Sequence, residues 1–168
     1  MTSPYRRSTS VADLSDLPPG LRDALRNHAH SHQLAITDGL PAWLTRSENP
    51  PSYSLLGRAF KRRANTADPD AEHQTLVIVH PTHLIVAISG AVRGESVLSG
   101  PLVALSVARR SIPHADRVSD AEAGLSITGL RIESGDTGSF YVGLGPEPAG
   151  QECADAVRAA IDAAKNPG

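Results

Sequence analysis

The chain has 168 residues, 40 % of them hydrophobic and 20 % charged, with a formal net charge of −2. That length fits one domain, and with one Trp, three Tyr and two Phe its core must be built mainly from Leu, Val, Ile and Ala. The lack of a basic excess argues against nucleic acid as the main ligand; the single Cys153 rules out an intrachain disulfide and a CxxC zinc pair; no apolar run approaches the roughly 18 residues of a spanning helix. The opening MTSPYRRSTS is positively charged but has no apolar segment behind it, so a soluble, cytoplasmic protein is expected rather than a secreted one.

Residues 1–12 are polar and without period, and read as a flexible tail. Residues 13–40 read as a helix and a turn. Leu17, Leu21, Leu25, His28 and Ala29 recur at helical spacing. Pro18-Pro19 suits the first turn, with Ser15 or Asp16 as cap, and Thr37-Asp38-Gly39 signals the turn. Residues 41–46 (PAWLTR) read as a first strand anchored by Trp43. Residues 47–73 form a long interruption with two proline turn signals.

The centre of the chain is QTLVIVHPTHLIVAISG, residues 74–90. Two β-branched runs of strand length flank His80-Pro81-Thr82-His83, and Pro81 demands a loop longer than a two-residue primed turn. Because both runs are nearly continuous in apolarity, the hairpin should be covered on both faces. A turn at 91–95 and a strand at 96–99 follow, broken by Gly100-Pro101. Alternation at Val103, Leu105 and Val107 predicts a strand over 102–109. Residues 111–124 read as a loop. Residues 125–132 read as a strand whose phase switches at a bulge on Gly129, with Leu125 and Ile127 on one face and Leu130 and Ile132 together beyond it. A hairpin loop at 133–138 and a strand at 139–144 come next. The Cys153, Val157, Ile161 spacing, with Ala160 and Ala164 beside it, predicts a closing helix over 148–165.

This order of elements, with HPTHLIVAISG followed by GESVLSGPLVALSV, resembles the pleckstrin-homology-like superfold, including its bacterial branch, over residues 41–168. The resemblance implies an α+β fold: a bent antiparallel sheet, as a partly open barrel or sandwich, capped by the C-terminal helix. The N-terminal helix is extra to that pattern. It also implies a binding scaffold for protein segments or lipid headgroups rather than an enzyme, although fold alone does not give function.

The candidate chemistry is sparse. His28 and His32 lie four apart on one helix face, the spacing of two metal ligands, but no third ligand is placed and both continue the leucine stripe. His80 and His83 flank the hairpin loop, where metal or phosphate binding competes with simple exposure. Asp136-Thr137-Gly138-Ser139 spells an aspartic-protease motif without the apolar strand before it or a second carboxylate, and a hairpin loop accounts for it. Cys153 reads as a small core hydrophobe. The densest basic cluster, Arg58, Lys61, Arg62 and Arg63 around Phe60, suits anionic headgroups. The reading is a non-catalytic adaptor that binds a protein partner and needs no cofactor. Headgroup binding through residues 58–63 is the alternative, and a small metal-dependent hydrolase using the histidines is the second.

Overall fold

A computed structural model describes residues 6–49, 70–111, 123–132 and 134–167. Among them lie eight strands and two α-helices. In chain order these are β1 (Arg6–Val11), α1 (Pro19–His32), β2 (Ala42–Glu48), β3 (Glu72–Val79), β4 (His83–Gly90), β5 (Gly94–Pro101), β6 (Ser106–Ser111), β7 (Ala123–Arg131), β8 (Thr137–Gly143) and α2 (Pro148–Lys165). Every pairing is antiparallel. The strands follow the order β1-β2-β3-β4-β5-β7-β6, with β8 on β7, and curl into a half-barrel, so the α+β, antiparallel expectation holds.

The central hairpin explains why two helices are needed. Side chains alternate across a strand, so β4 sends Leu84, Val86 and Ile88 to one face and Ile85 and Ala87 to the other. The first set joins Val77, Leu98, Leu125, Ile127 and Val142 around Cys153, Val157 and Ile161 of α2. The second joins Leu76, Ile78 and Val97 under Leu21 and Leu25 of α1, together with Leu14 and Leu17 just before it. Both faces are therefore dry, as the continuous apolar runs require. Each fully buried Leu, Ile or Val contributes about 1.5–3 kcal/mol of transfer free energy. The α2 boundaries and the Cys153, Val157, Ile161 seam lie where the sequence places them.

The sequence misplaces four features. Residues 6–11, expected in a flexible tail, form β1 and pair in register with β2 from Arg6↔Glu48 to Val11↔Trp43. Its sequence has no apolar alternation; what holds it is the backbone ladder and a buried hydroxyl pair, Thr9 Oγ1 to Thr45 Oγ1 at 2.7 Å. Second, α1 starts at Pro19, with no side-chain cap on Pro18, whereas Asp13 caps a separate 3-10 turn at Leu14–Asp16 through Ser15 N–H. Third, β5 runs through Gly100 to Pro101, and Leu102–Ala104 is another 3-10 turn. That turn buries Leu102 and Leu105 and leaves Val103 exposed, so the alternation there is coincidental. Fourth, Ile132 lies past the end of β7 and is 48 % exposed while Leu130 is buried, so the two do not share a face.

The bulge at Gly129 is present: the β7–β8 register shifts between Thr128 and Leu130, and Gly129 sits at φ +105°. A Cβ there would meet the Ala104 carbonyl oxygen at 2.7 Å, in a backbone region that L-residues rarely adopt. Gly129→Ala is expected to destabilise by about 3 kcal/mol, combining strain and overpacking. Urea unfolding should show the midpoint fall with the slope unchanged.

The curl brings the two ends of the described chain together. Gly145 N–H donates to Thr9 Oγ1 at 2.8 Å, and Thr9 N–H donates to the Glu147 carboxylate at 3.0 Å. The Arg7 guanidinium lies 5.7 Å from the Tyr141 ring centroid. Burial pushes the Glu147 carboxyl upward, but the amides of Thr9 and Glu147 and the Ser8 hydroxyl outweigh it and hold the group below its usual range.

Candidate functional site

The sheet divides at β5. Along one side β5 pairs with β4 over its whole length, from His83↔Pro101 to Gly90↔Gly94. Along the other it meets β7 at one position, Ser99↔Arg131, because the rest of that β7 edge is taken by β6. Backbone direction alternates in an antiparallel ladder. Val79 N–H donates to Pro41, towards β2, and carrying the alternation across β3 and β4 turns the amides of Glu95 and Val97 away from β4. They are in phase with Ser99, the residue that meets β7.

Beside this edge runs a groove of about 540 Å³. One wall is α1, with Ala24, Asn27, His28, Ser31 and His32; the floor is residues 95–97; the far wall is Arg131, Ile132 and Gly135 at the β7–β8 turn. Exposed Ile132 thus adds an apolar side chain to the far wall of the groove.

At one end of the groove the structure gathers four histidines that the sequence offers only as two separate pairs. His28 and His32 stack with ring centroids 3.9 Å apart and planes 22° apart. His28 Nε2 is 2.7 Å from the Ser99 hydroxyl on β5. The His32 Nδ1–H donates to the His28 carbonyl oxygen at 3.0 Å. His83, the first residue of β4, lies close enough to affect both rings electrostatically, and His80 of the β3–β4 loop meets it edge-on at 5.9 Å. Thr82 ties the loop, its N–H donating to His80 Nδ1 at 3.1 Å and its hydroxyl lying 2.7 Å from His83 Nδ1. Burial first, then His32 and His83, push the His28 imidazole down to about 4. Burial, then His80 and His32, push His83 down as well.

A serine within hydrogen-bond reach of a histidine invites a nucleophilic reading. Ser99 is only 5 % exposed, and the group that would act as base is a weak one. The charged or chargeable groups bearing on His28 are imidazoles rather than the orienting carboxylate a triad uses. The pair fits a structural tie better than a dyad. The sequence carries no signal for it, since 71 positions separate the partners.

The other candidates are quickly placed. Among the described residues, no three His, Cys, Asp or Glu side chains are grouped to hold a metal ion. Asp136 sits in the exposed β7–β8 turn, where the Ser134 hydroxyl donates to it at 3.0 Å. Cys153 is buried and its thiol is pushed up to about 12 by that burial, far from a reactive thiolate. Arg58, Phe60, Lys61, Arg62 and Arg63 lie outside the described residues. No helix among the described residues is long and apolar enough to cross a membrane. Comparison with protein-family models, with curated proteins and with solved structures finds no match.

Proposed function

We propose that the protein is a non-catalytic adaptor of the cytoplasm with a pleckstrin-homology-like fold, and that it binds an extended segment of a protein partner along β5. One observation carries this reading: among the described residues no strand pairs with the outward amides of β5 at Glu95 and Val97, which lie beside a groove that can take a short peptide. An added strand gains backbone hydrogen bonds there, while Ile132 and the α1 wall select its side chains.

Glu95→Pro tests it. The substitution removes an N–H that points away from β4, at an exposed edge position where proline is tolerated and no core side chain is lost. Short peptides selected by display on the wild type are expected to lose at least tenfold in affinity for Glu95→Pro, with its circular dichroism unchanged, and to bind independently of salt. Retained affinity rejects the edge as the site. Headgroup binding is the competing reading. If the wild type sediments with anionic liposomes at physiological salt, and the quadruple change of Arg58, Lys61, Arg62 and Arg63 to Ser abolishes it, the adaptor reading fails.

A further inference from the structure

We propose that His28, His32 and His83 form a proton-sensitive latch that seats the C-terminal half of α1 on the sheet, and that acidification releases it. The effect on the groove rests on the peptide-binding reading above, because His28 and His32 are part of the groove's α1 wall; the latch itself does not.

The argument starts from the leucine stripe. Leu21 and Leu25 seat the first half of α1 in apolar surroundings. One turn further along the same face the stripe continues as His28 and then His32. The second half of the helix is therefore held by imidazoles: one stacked pair, one hydrogen bond to a buried serine, and the His83 ring from the start of β4. All of these contacts are compatible with neutral rings. Each added proton places like charges against each other in a partly dry space.

The surrounding groups offer little relief. From α1 itself His32 faces His28; from the start of β4 His83 does, with His80 of the β3–β4 loop against it; from β5 the neighbour is the neutral Ser99. Along the groove β7 adds Arg131, another cation, and among the described lining residues the one carboxylate is Glu95. Glu95 is four residues from Ser99, and its carboxylate lies at the opposite end of α1, against Gly20.

The sign follows from linkage. A histidine whose pKa is depressed in the docked state binds its proton more readily when released. Docking is thus undisturbed above about 6.5, the ordinary value, and weakens as pH falls towards the docked value of about 4. At pH 5 His28 alone sets a ceiling of about 30-fold on the shift towards release; screening of a half-buried ring brings the expected shift to about tenfold.

Amide hydrogen exchange on the full chain tests this. After correction for intrinsic rates, protection of residues 26–32 should fall about tenfold between pH 7 and pH 5, relative to α2 as internal reference. His28→Gln keeps an amide within reach of Ser99 and cannot take up a proton, and should abolish the fall. Protection that tracks α2 at both pH values, or an equal fall in His28→Gln, overturns the latch. Should that variant not fold, the wild-type imidazole titration followed by NMR decides: His28 taking its proton near 6.5 while residues 26–32 stay protected also overturns it. Since no peptide is present in either measurement, the latch can fail with the groove reading intact, and the Glu95→Pro test can fail with the latch intact.

Discussion

Leu21→Ala is expected to lower the free energy of unfolding by about 3 kcal/mol, within the 2–5 kcal/mol range for emptying a fully buried leucine site. Leu21 has no exposed surface and sits between α1 and the outer face of the β3–β5 sheet, against the cluster that includes Leu76, Ile78, Ile85, Ala87 and Val97. Within α1 only Leu21 and Leu25 are buried, so the substitution removes half of the helix's fully seated anchors. Exposed Asp23 on the same helix is the control, and its replacement by Ala should change stability by less than 0.5 kcal/mol. Denaturant unfolding followed by circular dichroism measures both. A loss below about 1 kcal/mol for Leu21→Ala would mean that α1 is an appendage to a sheet that is stable without it.

Arg93→Met is expected to cost a similar amount, about 3 kcal/mol at pH 7, for an electrostatic reason. The Asp70 side chain is wholly buried; it accepts from Val92 N–H and from Arg93 Nε, each at 2.6 Å. Taking the cation away leaves a buried carboxylate with less compensation, which typically costs 3–5 kcal/mol, and the surviving bonds from the Val92 and Arg93 amides set the lower end. Burial pushes the Asp70 carboxyl upward, but the Val92 amide and the Arg93 guanidinium outweigh it and hold the group below its usual range. In the wild type this contribution is therefore present above the unfolded value near 3.9 and is lost as pH falls through the depressed folded value. In Arg93→Met the carboxyl should titrate higher, so the difference between the two proteins narrows on acidification. Urea midpoints at pH 7 and pH 4 read this out; a constant difference would show that Arg93 acts through packing alone.

How much of this was readable beforehand depends on where the stabilising partner lies along the chain. The α2 seam was legible because Cys153, Val157 and Ile161 announce a helix face by spacing alone. The central hairpin was legible because β-branched runs covered on both faces look like nothing else, and Gly129 because a phase switch at a glycine has few other meanings. β1 was not, because Arg6–Val11 has no pattern of its own and takes its conformation from β2 and from Glu147, 138 positions away. The site is intermediate. Each histidine pair stands out by spacing, but their meeting depends on α1 lying across β5, and the free edge depends on β7 choosing β6 over β5. Val103, Leu105 and Val107 show the reverse failure, an alternation that the backbone does not follow.

The junction between Thr9 and Glu147 also has a meaning in time. β1 leaves the ribosome well before α2, and the carboxylate that receives its Thr9 amide is synthesised 138 residues later. At ~5–20 residues per second that is an interval of roughly 7–30 seconds. Through it, the Thr9 amide and hydroxyl are without their Glu147 and Gly145 partners, and the inner face of the half-barrel lacks α2. Closing so distant a contact also carries the loop entropy that slows folding of non-local topologies. Until α2 is made, whatever part of the sheet has formed has one apolar face uncovered, the form in which it has most to gain from a chaperone.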